Sequence, residues 1–370
     1  MNVSNQTATT ATGTAVFRCA AASVRLSTDI AGVLDEARKI LYSYDVIPDG
    51  AATWQVHLIY DPGVFDSPDA NTNGHEVDIG PQTYAYRHSA GTKNVFWVPA
   101  RSTLLQADPA AKVIRARCAS IPAALDWAPR LVRQAMTSQL LAAGMVYAHA
   151  AAFTYRGHGL LIAGNRSRGK TTTLLSCLHH LGGDYSTNDR LMLHATGDDL
   201  HGYPWPMPLR AGIGTLTALP HLRDLVPEQQ QVLPAADRWT FPTKIVVEPP
   251  AFPTLLRPGA NVARDLSISL MLWPHLDQDC TEVRVERVEP DETADTLIST
   301  GIFMRDLHRG ASAHTNQWLA AAPDDQVVSM NMKNVAAVLA ARPCFRIHAG
   351  ADPAALAAAV GRLVESELPG

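Results

Sequence analysis

Gly164-Asn-Arg-Ser-Arg-Gly169-Lys170-Thr171 matches the phosphate-binding loop pattern of Gly, four residues and Gly-Lys-Ser/Thr. Residues 159–163 (GLLIA) before it form a short apolar run that predicts a buried strand. Residues 172–181 (TTLLSCLHHL) after it predict a helix. A strand, a glycine loop and a helix N-terminus in this order direct backbone N–H groups at one point, where they favour negative charge. The stretch therefore predicts a nucleotide site in an α/β domain.

The residues of this loop have separate expected roles. Glycine allows the backbone to approach phosphate oxygens closely. Lys170 supplies a positive charge for the β- and γ-phosphates, and the Thr171 hydroxyl can hold Mg²⁺. The residues predicted to bind the nucleotide are Gly164, Asn165, Arg166, Ser167, Arg168, Gly169, Lys170, Thr171 and Thr172.

Composition excludes several classes of protein. The 370 residues are 46% hydrophobic and 18% charged, which is typical of a soluble globular protein of one large or two smaller domains. The net charge of −4 argues against general nucleic-acid binding. We expect no membrane segment, since no run of eighteen apolar residues occurs. A Ser/Thr/Asn-rich start without an apolar core and five scattered cysteines predict a cytoplasmic protein with reduced thiols.

Patterning along the chain predicts a flexible tail at residues 1–14, a mixed α/β accessory domain at 15–120 and a nucleotide-binding domain at 121–370. In the accessory domain, a strand region at 15–26, a helix at 29–44, strands at 53–60, 83–88, 94–98 and 112–117, and a loop at 61–78 are expected. In the second domain, a helix at 122–143, strands at 146–154, 159–163, 190–194 and 267–273, irregular segments at 204–210 and 249–259, and helices at 291–305 and 351–368 are expected.

From Tyr147 on, the chain resembles the HPr kinase/phosphorylase-like family of P-loop kinases. His149 lies on the strand before the loop, and residues 181–184 (LGGD) are similar to the family's turn after the loop helix. Thr187-Asn188-Asp189-Arg190 stands where the family has Asp-Asp-Arg, and residues 256–263 (LRPGANVA) are similar to a family Arg-Pro-Gly-Arg-Asn segment. The resemblance implies an α/β fold with a P-loop kinase core of the HPr-kinase-like type, and it is absent before residue 120.

Two departures from the family change the expected chemistry. The first aspartate of the family's pair is Asn188 here, and an amide cannot take a proton. Asp189 then remains as base or magnesium ligand, with His149 to orient or relay the proton. The family's downstream metal-ligand Glu also has no match, since residues 207–214 contain no carboxylate. The metal ligands predicted from this chain are therefore Thr171 and Asp189, completed by nucleotide phosphates and water.

Each of these residues also has a structural alternative. His149 can be a core histidine, and Asp189 with Arg190 can be a surface ion pair. Trp205, a candidate for lining the acceptor pocket, can be part of a packed loop. The further candidates for contacting substrate or phosphate are Asn188, Arg190, Arg210 and Arg257.

Together these features predict an ATP-dependent, Mg²⁺-dependent kinase. It would transfer the γ-phosphoryl group to a hydroxyl of a small molecule or peptide, as in members of the family that tailor natural products. Two alternatives stay open: an HPr-type protein serine kinase, and a non-catalytic nucleotide-binding regulator, which Asn188 favours. The sequence leaves open GTP in place of ATP, the acceptor, the role of the first domain and the oligomeric state, a homo-oligomer included.

Overall fold

The computed structural model of the chain describes residues 13–80, 83–90, 93–249, 260–303 and 325–368. The described residues form two compact units, one of residues 13–142 and one of residues 143–303 and 325–368. Of the predicted tail, residues 1–12 lie outside the described residues, and Gly13 and Thr14 already belong to a strand. No helix among the described residues is long and apolar enough to cross a membrane.

The first unit is a nine-stranded mixed sheet with two helices. Its strands are β1 Gly13–Cys19, β2 Ala22–Thr28, β3 Asp45–Ile47, β4 Trp54–Tyr60, β5 His75–Gly80, β6 Thr83–Ala90, β7 Lys93–Val98, β8 Thr103–Asp108 and β9 Val113–Cys118. Its helices are α1 Val33–Ile40 and α2 Ile121–Ala142, with short 3₁₀ turns at Val64–Asp66 and Pro99–Arg101. The strand order is β3-β1-β2-β4-β9-β8-β7-β6-β5, in which β2, β4 and β9 run parallel.

Helix α2, predicted to open the second domain, belongs to the first unit. It packs on strands β2, β4 and β9 and on helix α1. Apolar side chains recur along it and are buried, Trp127, Leu131 and Leu140 among them. Because an amphipathic pattern shows only that a helix has a partner, the sequence could not tell on which side of residue 120 that partner lies.

The second unit carries the phosphate loop. Its strands are β10 Val146–Ala148, β11 Ala151–Tyr155, β12 His158–Ile162, β13 Asp184–Thr187, β14 Leu191–Thr196, β15 Asp199–Pro204, β16 Leu209–Gly212, β17 Lys244–Val247, β18 Leu266–Leu276, β19 Arg284–Arg287 and β20 Cys344–Ala349. Its helices are α3 Lys170–His180, α4 Ile213–Ala218, α5 Glu228–Gln231, α6 Ala235–Thr240, α7 Pro290–Ser299, α8 Asp325–Ala340 and α9 Pro353–Glu367, with a 3₁₀ turn at Pro220–Leu225.

The main sheet of this unit sets the position of the loop. Its strand order is β10-β14-β15-β18-β12-β11-β13, with β20 also paired to β18, while β16 and β17 form a separate two-stranded sheet. Strands β12, β18 and β20 are parallel, so their carboxyl ends meet at one edge, and the phosphate loop follows β12 at that edge. In α/β sheets this edge is where ligands bind. The mixed α/β class predicted from the sequence is thus consistent with the structure.

Several predicted elements differ from those observed. Strand β8 was not predicted, and β5 lies partly in the segment expected to be a loop. The region predicted as one strand at 146–154 is two strands, β10 and β11, that pair with different neighbours. Helix α7 ends at Ser299, six positions before the predicted end at Arg305. Most of the irregular segment expected at 249–259 lies outside the described residues.

Candidate phosphate-binding site

The loop between β12 and α3 has a backbone that only certain residues adopt. Gly164 has φ +140° and Gly169 has φ +102°, both in the region that favours glycine. A Cβ atom on Gly169 would collide with the Leu276 side chain of β18. The loop is tied to the same strand by backbone bonds from Ala163 N to Leu272 O at 2.9 Å and from Leu276 N to Arg168 O at 3.3 Å. The loop is therefore held against the carboxyl end of β18.

Lys170 lies folded over the loop. Its Nζ donates to Gly164 O at 2.7 Å and to Asn165 O at 3.1 Å, and the residue is only 7% exposed. Burial, with smaller contributions from Lys244 and Arg190, lowers the pKa of Lys170 to about 8, although Asp189 acts in the opposite direction. A buried ammonium held by two carbonyl oxygens is poised to exchange them for a stronger anionic partner.

His149 and Asp189 are brought together by strand pairing. Ala148 of β10 pairs with Leu191 of β14, and Ala152 of β11 pairs with Thr187 of β13. These two pairings bracket the short connections that contain His149 and Asp189, forty positions apart in sequence. His149 Nε2 lies 2.8 Å from Asp189 Oδ1, and since a carboxylate only accepts, Nε2 is the donor.

The second oxygen of Asp189 faces a cation. Arg190 Nε lies 3.0 Å from Asp189 Oδ2, and the Arg190 guanidinium lies over the Tyr147 ring, 5.8 Å from its centre. Burial by itself would raise the pKa of the Asp189 carboxyl, but the His149 hydrogen bond and the charges of Arg190, His149 and Lys170 hold it below its ordinary value. Asp189 is therefore a carboxylate at neutral pH, surrounded by positive and donor groups.

Asn188 points into the protein interior. It is 3% exposed, and its Oδ1 accepts a hydrogen bond at 3.2 Å from the hydroxyl of Tyr185, which is 1% exposed. At this position the family has an aspartate, whose burial beside a tyrosine would cost more than burial of a neutral amide. The structure gives Asn188 a clear packing role, and its contact with substrate or phosphate stays a prediction.

The remaining predicted residues are spread around the loop. Thr171 is half-buried, and Thr172 is buried with its Oγ1 2.7 Å from Thr215 Oγ1 of α4. Arg210 is exposed on β16, while Arg166 and Arg168 are exposed in the loop. Arg257 lies outside the described residues. Trp205 is 3% exposed and packs edge-on to Tyr147 with ring centres 5.8 Å apart, as the packed-loop alternative predicts.

Lys244 is a cation near the loop that the sequence analysis missed. It is exposed on β17, where it pairs with Gly212, the residue before α4. The contact between Thr172 and Thr215 joins the start of α3 to α4. Lys244 is thereby held close enough to lower the pKa of Lys170. No sequence motif contains Lys244. The one sequence signal at this position is that lysine is rare in the chain.

Comparison with known proteins finds similarity among solved structures, 84 chains in all, and none in the other two comparisons. No family model matches the chain, and no curated protein matches it. Among solved structures, an HPr(Ser) kinase/phosphatase from Coxiella burnetii is similar over 38% of this chain and 77% of that one, with 15% sequence identity and a TM-score of 0.21. This is a distant structural similarity. The assignments below rest on the site itself.

The predicted metal ligands can be tested against the donor set. No group of three His, Cys, Asp or Glu side chains among the described residues is arranged to hold a metal ion by itself. Magnesium bound with a nucleotide takes most of its ligands from phosphate oxygens and water and needs one or two protein oxygens. Thr171, with a half-buried hydroxyl at the start of α3, fits that requirement. Asp189 already faces His149 and Arg190, so it fits better through a water molecule.

Proposed function

We propose that this protein is an ATP- and Mg²⁺-dependent phosphotransferase with a P-loop kinase core, acting on a hydroxyl of a small molecule or peptide. The observation that carries the proposal is a carboxylate, Asp189, bound by His149 Nε2 at 2.8 Å in the same unit as the phosphate loop and its buried Lys170. A phosphate loop alone indicates binding. A loop with a charged carboxylate and a histidine beside it has what phosphoryl transfer to an alcohol requires.

In this proposal the loop holds the phosphates and Asp189 receives the acceptor. Backbone N–H groups of residues 165–171 and the N-terminus of α3 bind the phosphate oxygens. Lys170 exchanges its bonds to Gly164 and Asn165 for phosphate oxygens. Lys244 adds a second positive charge at the edge of the site. Thr171, together with phosphate oxygens and water, would hold a magnesium ion, which would supply further neutralisation of the charge on the phosphates.

Asp189 has the role of accepting the hydrogen bond of the substrate hydroxyl and, late in the transfer, its proton. The pKa of Asp189 is held below its ordinary value, which makes it a weak base. A loose phosphoryl-transfer transition state needs orientation and charge neutralisation more than a strong base, so a weak base suffices. His149 positions Asp189 through the 2.8 Å hydrogen bond. The alcohol oxygen forms its bond to the γ-phosphorus as the bond from that phosphorus to the β–γ bridging oxygen breaks, so ADP leaves and the O–H proton ends on the Asp189–His149 pair.

A nucleotide-binding regulator without catalysis is the second candidate. Both oxygens of Asp189 are engaged by neighbouring side chains, and Asn188 is turned toward Tyr185. If the acceptor hydroxyl cannot displace one of these partners, the site would bind nucleotide and signal its presence by a conformational change.

The deciding experiment is a screen of the purified protein with Mg-ATP against nucleosides, sugars, hydroxyl-containing peptides and a phosphocarrier protein, read by ³¹P NMR and mass shift. We expect a gain of one phosphoryl group on one acceptor class, which Lys170→Ala lowers by about 10²-fold or more. His149→Ala should slow the transfer and change its pH profile, since the group that positions Asp189 is lost.

The outcomes separate the two candidates. Binding of ATP by the wild-type protein, without transfer to any acceptor class, would favour the regulator. A protein that binds no nucleotide, or a Lys170→Ala variant with unchanged nucleotide affinity and turnover, would refute both.

A further inference from the structure

A hollow of about 560 Å³ opens beside the phosphate loop. One wall is helix α6, and the other is the end of β18 with the residues that follow it, up to Asp279. Gln278 Nε2 donates to Ala236 O at 3.5 Å and so links the two walls. Arg168 of the loop forms part of the lining. The volume lies within the range of small-molecule sites, about 300–1,000 Å³.

The hollow follows β18, and the strand that leads into Asp189, β13, lies on the other side of β12 in the strand order. Strand β18 pairs with one edge of β12, and β11, followed by β13, lies at the other edge. The hollow follows the carboxyl end of β18, while Asp189 follows β13. Because Arg168 of the loop lines the hollow, a ligand with its phosphates on the loop has room for its remaining part on the β18 side.

The lining has the chemistry of a site for hydroxyl and amino groups. Asp237, Asp277 and Asp279 contribute carboxylates, which accept hydrogen bonds and repel phosphate. The Asp277 carboxylate is held in place because its Oδ1 accepts from Asp279 N at 3.1 Å. Ribose hydroxyls and the amino groups of bases are the donors that such a lining accepts.

Two planar side chains, Arg168 and His275, line the hollow next to the loop. Arg168 Nη1 lies 3.1 Å from His275 Nε2. Burial, Arg168 and His348 lower the pKa of His275, with Asp277 acting in the opposite direction, so the ring is neutral at physiological pH. A planar guanidinium and a neutral imidazole present π faces on which a base can stack.

We propose that this hollow, named here the nucleoside hollow, receives the ribose and base of the nucleoside triphosphate whose phosphates lie on the loop. The inference rests on the proposed function and deepens it. The phosphate chain then runs from Arg168 to Lys170, with the γ-phosphate toward Asp189, and the acceptor approaches from the side of His149. The carboxylates of the hollow select against a second phosphate group there.

The test compares ATP with inorganic tripolyphosphate, which has the phosphates but no nucleoside. Affinities of both are measured by isothermal titration calorimetry with Mg²⁺ for the wild-type protein and the double variant His275→Ala/Asp277→Asn. We expect ATP to bind the double variant about 10-fold or more weakly, while its tripolyphosphate affinity stays unchanged. His158→Ala, at the opposite end of β12 from the loop, is the matched control and should bind both ligands normally.

The possible results of this test can be told apart. A wild-type protein that binds tripolyphosphate as tightly as ATP, or a double variant that binds both ligands as the wild type does, overturns the nucleoside hollow and leaves the phosphate site intact. A wild-type protein that binds neither ligand overturns the proposed function itself. If the double variant loses both ligands equally while its thermal unfolding is unchanged, its effect lies in the loop, and the nucleoside hollow is refuted.

Discussion

Charge at individual side chains governs this site. Asp189 is a carboxylate between an imidazole and a guanidinium, and Lys170 is an ammonium whose pKa burial lowers to about 8. Each is costly to bury, and each offsets part of the cost of the other. The consequence is a site whose charges are only partly compensated until an anion arrives, and two predictions follow from these residues.

Asp189→Asn should lower the rate of phosphoryl transfer by about 10²-fold or more. Its nucleotide affinity should stay within a few fold of the wild-type value. The amide keeps the shape but cannot take the hydroxyl proton. Turnover by mass shift and affinity by calorimetry check the two halves. The matched control is Asp199→Asn on the exposed start of β15, which should change neither. Retained activity in Asp189→Asn would move the base to His149 first and Asp184 next.

Affinity for ATP should fall as the pH rises above about 8, because Lys170 of the free protein loses its proton there while bound phosphates raise its pKa. The contribution of the Lys170 charge to ATP affinity is fully present below the pKa of the free protein's Lys170 and is lost as the pH rises above it. Titration calorimetry from about pH 7 to about pH 9.5 measures the slope, which cannot exceed tenfold per pH unit for one proton.

Lys170→Arg is the control for this pH dependence. An arginine keeps its charge over the whole range, so its ATP affinity, although lower, should not vary with pH. An equal slope in both proteins would show that the titrating group is not Lys170.

Among the elements, the junction between the phosphate loop and helix α3 has the most restricted backbone. Gly169 has positive φ at the first position before α3, and any Cβ there meets Leu276 of β18. The turn between β11 and β12 offers a comparison, since Gly157 has φ +81° and nothing lies within 4 Å of its would-be Cβ. Both glycines have positive φ, and of the two it is Gly169 whose Cβ would also collide with a neighbour.

Gly157→Ala should lower the free energy of unfolding by about 1–2 kcal/mol, the cost of a left-handed residue with a Cβ. Gly169→Ala should lower it by about 1–3 kcal/mol more, because Leu276 must also move, and should weaken ATP binding. Urea unfolding and calorimetry measure the two quantities. Equal destabilisation by both substitutions would mean that β18 yields freely to the loop, against the geometry described above.

In the molecule as a whole, the residues of the proposed nucleotide site belong to the second unit. The loop, the His149–Asp189 pair, Lys244 and the nucleoside hollow all lie between residues 143 and 303. The first unit has its own buried cluster, with Val64, Val95, Trp97 and Leu104 in contact. A ligand of the second unit should therefore stabilise that unit directly.

Hydrogen exchange read by mass spectrometry should resolve this. At ATP concentrations 100 times the Kd, amides at 163–173, 236–240 and 275–280 should exchange up to about 100-fold more slowly. Tripolyphosphate should protect the first of these segments alone. Amides of residues 13–118 should be unchanged by either ligand. Protection confined to the first unit would contradict the assignment of the nucleotide site.

The elements that could be predicted from the sequence are those with a local sequence signal. Strand, glycine loop and helix follow one another between residues 158 and 180, so periodicity and the glycine positions are enough to predict them. Asp189 was predicted from another local signal, the resemblance of Thr187-Asn188-Asp189-Arg190 to the family's Asp-Asp-Arg, and its role stays a prediction. Strand β8 was missed because its residues TLLQAD neither alternate strictly nor contain an apolar run longer than two residues.

Contacts between residues that are far apart in the chain could be seen only in the tertiary structure. The bond from His149 to Asp189 depends on the register of two strand pairs, and the turn of Asn188 toward Tyr185 depends on how β13 ends. The partners of α2 and the approach of Lys244 to the loop were fixed in the same way. The physical reason is that local sequence sets which face of an element is apolar, whereas the choice of its partner is made by packing between residues far apart in the chain.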